Sequence, residues 1–145
     1  MELQVKKLRP DAILPTRGSA QAAGYDLYAC LDGEELEIPP HATVRVPTGL
    51  CIAVPDGYFA AVFARSGLAT REGLRPANCV GVCDSDYRGE YLIMLHNDTD
   101  RPQRIRGGDR VAQMVVLPYL PVTFREVEEL SETERGQGGF GSTGR

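Results

Sequence analysis

The stretch Leu50-Cys51-Ile52-Ala53-Val54-Pro55-Asp56-Gly57-Tyr58-Phe59-Ala60-Ala61-Val62-Phe63-Ala64 decides the class of the fold. Two runs of β-branched, aromatic and small apolar residues flank Pro55-Asp56-Gly57, where proline presets φ and glycine tolerates φ above zero. Neither run carries a 3.6-residue period, so the segment predicts strand, turn, strand, with residues 58–64 returning along 50–54 as a hairpin. The same grammar extends outward. Residues 44–46 are β-rich. Residues 80–83 and 91–95 flank the compact segment 84–90 and predict a second hairpin, and residues 97–100 make a polar turn. Residues 110–117 are almost continuously apolar, which predicts a strand buried on both faces. Ten prolines and sixteen glycines punctuate the chain, and strands recurring about every ten residues favour an all-β sandwich, jelly roll or barrel. One short helix is expected, with Ser66 as N-cap for residues 67–72 and Gly73 ending it.

At 145 residues, the chain suits one domain with a core of its own. With 42% apolar and 25% charged residues, it reads as globular protein. No apolar run approaches a membrane span, and residues 1–10 are too polar for a secretory signal. A cytoplasmic location is expected, or a nuclear one in a eukaryote. The net charge of −4 argues against stable binding to a nucleic-acid backbone, which needs clustered Lys and Arg. It leaves room for a small anionic ligand. Cys30, Cys51, Cys79 and Cys83 form no paired metal-binding framework, and His41 and His96 add no spacing that completes one. They read as buried free thiols in a reducing compartment. Neither histidine has an assignable role.

Five segments carry residues able to do chemistry. Arg65-Ser66-Gly67 opens the short helix, where free amides, a guanidinium and a hydroxyl suit phosphate oxygens; a plain N-cap beside a surface arginine is the other reading. In Asp84-Ser85-Asp86-Tyr87-Arg88-Gly89-Glu90, Asp84 and Asp86 suit a base, a metal ligand or a turn. The last eleven residues include five glycines around a single aromatic, Phe140. They form either a mobile tail or an arm whose Phe140 stacks on a base while Arg135, Ser142 and Thr143 donate to phosphates. Asp26, in Gly24-Tyr25-Asp26-Leu27-Tyr28, opens an amphipathic strand. Gln113 lies in an apolar run and needs a partner if buried, whether backbone, ligand or water. Residues 126–134 are acidic and read as a helical turn or a solvated connector.

In set and order these segments resemble the trimeric deoxyuridine triphosphatase (dUTPase) family over essentially the whole chain. The resemblance rests on residues 23–29, 65–69, 81–90, 108–113 and 135–144, most specifically on Asp-Ser-Asp-Tyr-Arg-Gly and Arg-Gly-Gln-Gly-Gly-Phe-Gly-Ser-Thr-Gly. It implies a jelly-roll β-sandwich over residues 1–134, an arm over 135–145, and a homotrimer with three shared active sites, each closed by one subunit's arm. It also implies hydrolysis of dUTP to dUMP and pyrophosphate, assisted by Mg2+ held by water and by the substrate, with no direct protein ligand. By that resemblance Asp84 is the general base and Gln113 lies near the α-phosphate and its water. Arg65, Ser66 and Gly67 meet the phosphate chain, and Asn78 helps the backbone read uracil. Tyr87 covers the deoxyribose and blocks a 2′-hydroxyl. Phe140 and Gly141 belong to the arm that stacks on uracil, while Arg135, Ser142 and Thr143 donate to the β- and γ-phosphates. Asp26 stays open between a strand-end role and a water-mediated contact to the sugar or the metal.

Two positions depart from the family pattern: Ala64 replaces a common proline, and Cys83 replaces an aliphatic residue before the base. The thiol at Cys83 raises the expectation of sensitivity to alkylation. Two other activities stand as alternatives. A deoxycytidine triphosphate deaminase shares the fold but needs a catalytic Glu where Asp84 stands. A nucleotide-gated partner-binding protein is the other.

Overall fold

The computed structural model describes residues 1–139. Among them the chain forms β1 (Gln4–Lys7), β2 (Thr16–Arg17), β3 (Tyr25–Tyr28), β4 (Glu35–Ile38), β5 (Thr43–Pro47), β6 (Leu50–Ala53) and β7 (Tyr58–Phe63). Helix α1 (Ser66–Glu72) follows, then β8 (Leu74–Pro76), β9 (Val80–Cys83), β10 (Leu92–Asn97), β11 (Gln103–Arg106) and β12 (Arg110–Pro118). The apolar run that predicted a strand buried on both faces is β12. It lies between β3 and β7 in a five-stranded sheet ordered β2-β3-β12-β7-β9, with Val111, Ala112 and Met114 buried. Val111 and Ala112 are buried in succession, so at that point both faces of the strand are covered. The remaining strands pair as β5-β10-β8, β1-β6 and β11-β4. Along β10 burial alternates, with Ile93, Leu95 and Asn97 inward and Leu92 and Met94 outward.

One buried cluster joins Leu27, Ala60, Val62 and Met114 of the five-stranded sheet to Val46, Ile52, Leu74, Leu95 and Ile105 of the other strands. The apolar faces of the strands thus close on a single core. The chain is all-β with one short helix, the expected class, and its strand content fits a jelly roll. Among the described residues no helix is long and apolar enough to cross a membrane.

Both expected hairpins are absent. The Pro55-Asp56-Gly57 turn forms, with Tyr58 N–H donating to the Pro55 carbonyl at 3.2 Å and Gly57 at φ +81°. Yet β6 pairs with β1, whereas β7 pairs with β12 and β9. The turn carries the chain from one sheet to another. Burial explains the choice: Ala60, Ala61 and Val62 are buried in succession, which suits a strand flanked on both edges, while β6 alternates. Likewise β9 pairs with β7, and β10 with β5 and β8, so segment 84–90 bridges two sheets.

The helix begins one residue earlier than expected. Arg65 is the N-cap, extended at φ −87° and ψ 129°, and no side chain caps the helix. Ser66 is the first helical residue, and its carbonyl accepts the Thr70 hydroxyl at 2.7 Å. Gly73 ends the helix as predicted, at φ +66°. Residues 119–133 form neither helix nor strand and are exposed, so the acidic stretch is a solvated connector.

Candidate functional site

Because β9 and β10 belong to different sheets, each keeps an edge, over residues 92–94 in β10, that no strand among the described residues covers. β9 has a strand neighbour only on its β7 side. Residues 92–94 pair with β5 alone, since β8 reaches only residues 95–97. Between the two strands lies a cavity of about 260 Å³, walled by Pro76, Asn78, Gly81, Asp84, Tyr87 and Met94 among others. Uncovered backbone N–H and C=O groups must find partners, so such a slot suits a flat ligand carrying donors and acceptors on one edge. Part of the β10 edge is used internally, where the Met94 carbonyl accepts Ala77 N–H at 2.7 Å. Gly81 keeps the wall flat, since a Cβ there would sit 3.2 Å from Val62 Cβ and 3.5 Å from Asn78 Nδ2.

The 84–90 loop at the cavity mouth is tied by its own backbone. Tyr87 N–H donates to the Asp84 carbonyl at 3.2 Å, and Arg88 Nη1 to the Ser85 carbonyl at 2.6 Å. The Tyr87 hydroxyl donates to the Glu90 carbonyl at 2.9 Å. Tyr87's ring occupies the space a Cβ on residue 89 would need, 2.6 Å from Cζ and 2.9 Å from Cε2, which is why Gly89 stands there. The far leg is clamped to the turn at residues 48–50. Glu90 Oε1 accepts Gly49 N–H at 2.7 Å, and the Thr48 hydroxyl donates to the Tyr91 carbonyl at 2.7 Å. The Asp84 side chain is exposed and makes no hydrogen bond or ion pair among the described residues. Its carboxylate is free to accept a proton from a bound water.

Of the four cysteines expected to be buried only Cys30 is; Cys79 is exposed, and Cys51 and Cys83, the latter just before Asp84, are half-buried. Burial pushes the Cys83 thiol up. The thiolate is the reactive form, so burial works against the sensitivity to alkylation that its position raises, and iodoacetamide treatment tests which prevails.

A second cluster forms at one end of the five-stranded sheet. The ladders set Gln113 opposite Asp26 on β3 and Phe63 on β7. Asp26, whose side chain is only 13% exposed, accepts Arg65 Nε on Oδ1 at 2.7 Å and Arg110 Nη1 on Oδ2 at 3.3 Å. The carboxylate thus fixes the guanidinium at the start of α1. Gln113 Nε2 donates to the Ala64 carbonyl at 2.9 Å, so the glutamine in the apolar run has a backbone partner. Gly24 leaves the space that Gln113 Oε1 fills. The sequence reading missed Arg110 and Gly24, although both lie inside segments it singled out. Only strand register marks them as partners of Asp26 and Gln113.

Asn78, Asp84 and Tyr87 therefore come together at the cavity, and Asp26, Arg65 and Gln113 at the sheet end. The cavity wall does not include Arg65, Ser66, Gly67, Gln113 or Arg135. Arg135 Nε donates to the Gly138 carbonyl of its own turn at 2.8 Å. Phe140, Gly141, Ser142 and Thr143 lie outside the described residues. His41 Nε2 meets Asp100 at 2.8 Å, and His96 Nδ1 meets the Thr43 hydroxyl at 2.9 Å, both on the exposed surface. Among the described residues no three His, Cys, Asp or Glu side chains converge as metal ligands. With both oxygens of Asp26 engaged by guanidinium groups, that carboxylate suits a metal only through water.

Comparison with known proteins adds an independent line. The family model described as dUTPase matches residues 10–144. A Hydrogenobaculum protein named deoxyuridine 5′-triphosphate nucleotidohydrolase is 47% identical over 144 residues, covering 99% of each chain. A Desulfitobacterium hafniense protein of the same name is 53% identical over 132 residues, 90% of this chain and 87% of that one. Among solved structures, the Staphylococcus bacteriophage 80alpha dUTPase with dUPNHPP superposes at a TM-score of 0.89 and 29% identity, covering 99% of both chains. The likeness spans the sheet end, the cavity and both unpaired strand edges, and on that breadth the chain belongs to the dUTPase family.

Proposed function

We infer that the protein is a dUTP diphosphatase, hydrolysing dUTP to dUMP and pyrophosphate. One observation carries the chemistry: a free carboxylate, Asp84, at the mouth of a slot bounded by two unpaired strand edges and by Tyr87. In this reading the backbone edges of β9 and β10, with Asn78, meet the donors and acceptors of uracil. Cytosine is rejected because it would leave buried groups unpaired. Tyr87 lies against the deoxyribose. Asp84 accepts a proton from water as the water oxygen bonds to the α-phosphorus and the bond to the bridging oxygen breaks in line, releasing pyrophosphate. Arg65, Ser66, Gly67 and Gln113 position the phosphate chain and its water, so that most of the rate comes from placement and charge neutralisation. Mg2+, entering with the triphosphate and touching Asp26 only through water, would neutralise phosphate charge.

In this reading the protein is a homotrimer with shared sites, and the division described above supports it. Among the described residues the nucleoside cavity and the Arg65–Gln113 cluster do not line one pocket, which favours a site completed by a second copy. Exposed apolar side chains support it, with Leu120 and Leu130 each 87% and Phe124 95% exposed. So does the apolar pocket formed by Leu3, Val5, Leu14, Tyr25, Met114 and Val116. The arm at 135–145, with Arg135, Phe140, Gly141, Ser142 and Thr143, closes over a neighbour's site and excludes water.

The test is pyrophosphate release from dUTP, dTTP, dCTP and UTP, with and without Mg2+, for the wild type and Asp84→Asn. Rapid release from dUTP alone is expected. Asp84→Asn should still bind a dUTP analogue while kcat falls about 10²- to 10⁴-fold. Equal rates across the four nucleotides would overturn the recognition scheme.

A further inference from the structure

Tyr87 is 42% exposed, and its hydroxyl donates to the Glu90 carbonyl at 2.9 Å. A ring so open to solvent is held no more firmly than the carbonyl that takes its hydroxyl. A chain of bonds leads inward from that carbonyl. It shares a rigid peptide unit with Tyr91 N–H, which donates to the Leu50 carbonyl at 2.8 Å. From the side chain of the same residue, Glu90 Oε1 accepts Gly49 N–H at 2.7 Å. Residue 90 is thus where the turn at 48–50 meets Tyr87.

That turn is a firm anchor. Thr48 and Leu50 are fully buried, and the Gly49 carbonyl accepts Leu8 N–H at 2.8 Å. Gly49 lies at φ +68°, where a Cβ would stand 2.8 Å from Ala12 Cβ and 3.0 Å from Cys30 Sγ. Backbone enclosed and bonded in this way has little room to shift. The loop has no ladder of its own to steady it, since its two ends run into strands of different sheets.

Among the described residues, Gly49 N–H is the only hydrogen-bond partner of the Glu90 carboxylate, and no cation pairs with it. The residue is half-buried at the cavity wall. A carboxylate there gives up hydration without a counter-charge, a cost that the bond to Gly49 has to offset. A charge-assisted hydrogen bond is roughly twice as strong as a neutral one, which suits a fixed tether.

We propose that Glu90 is a positioning residue for Tyr87: its carboxylate, anchored on Gly49, holds the loop so that the Tyr87 ring stays where a 2′-hydroxyl would fall. Glu90 thereby sets sugar selection through the tyrosine and not by contact with the sugar. The inference rests on the role given to Tyr87 under the proposed function.

Glu90→Ala cuts the tether but leaves the Thr48 and Leu50 bonds to Tyr91 in place, so the sheets should still form. The kcat/KM ratio of dUTP over UTP should fall about five- to tenfold, chiefly because UTP gains, with kcat for dUTP within about threefold. Glu90→Asp, one methylene short of Gly49, should show the same fall and serves if Glu90→Ala does not fold. Glu90→Gln, which keeps an acceptor at the same reach, should restore most of the selectivity. Tyr87→Phe cuts the same path at its other end, so its loss of selectivity should not deepen when Glu90→Ala is added. Unchanged sugar selection without the tether, no rescue by Glu90→Gln, or additive losses in the double variant overturns the proposal. A wild type that takes dUTP and UTP alike, or a Tyr87→Ala variant that still rejects UTP, refutes the role of Tyr87 and this inference with it. If Tyr87→Ala admits UTP while Glu90→Ala rejects it, the role of Tyr87 stands and Glu90 alone is removed.

Discussion

Asp26 does at residue scale what the sequence left open. Its carboxylate is nearly enclosed and takes a guanidinium on each oxygen, Arg65 at 2.7 Å and Arg110 at 3.3 Å. Removing one partner of an enclosed charged pair leaves the others uncompensated, and charge-assisted bonds of this kind are worth roughly 1.5–3 kcal/mol. Asp26→Asn should therefore loosen Arg65 and raise KM for dUTP, lowering kcat/KM by roughly tenfold or more. Steady-state kinetics with an unchanged KM would remove Asp26 from the positioning of Arg65. The sequence exposed the residue types of the site: Asp84, Tyr87, Arg65 and Gln113 stand out by chemistry and order. It could not give their partners, because Asp26–Arg65 is a contact across 39 positions that only register creates.

Among the elements, the 84–90 loop is held by shape as much as by bonds. Gly89 yields to the Tyr87 ring, and the Tyr87 hydroxyl closes on the Glu90 carbonyl. Gly89→Ala should push the ring aside rather than unfold the sheet, because the obstructing atoms belong to an exposed side chain. The expected outcome is a Tm close to wild type with UTP hydrolysed at a rate approaching that of dUTP, read from the pyrophosphate assay. Continued rejection of UTP would free Tyr87 of that role. Element existence was legible in the sequence: β12, the turn at residues 55–57 and the end of α1 at Gly73 all lie where residue pattern put them. Pairing was not. Alternation and a turn signal are the same whether the next strand returns beside its predecessor or crosses to the opposite layer. The burial of Ala60, Ala61 and Val62, which settles the matter, depends on β12 and β9 arriving later in the chain.

Taken as a whole molecule, the described residues carry the β9–β10 slot and the Asp26–Arg65–Gln113 cluster, which do not share a wall. If copies complete each other's sites, Asp84→Asn and Arg65→Ala chains, each inactive alone, should regain activity when unfolded together and reassembled. Random mixing predicts about a quarter of the wild-type rate, because one site in four would draw both intact halves. Mixtures as inactive as either parent would mean that every site is built from a single chain. The uncovered edges of β9 and β10 have another side. A row of unsatisfied backbone groups is a template on which a stray extended segment can add a strand. On the proposed reading, a nucleotide seated there would be a plug as well as a substrate, and scarcity of nucleotide would leave the edges open to strand addition.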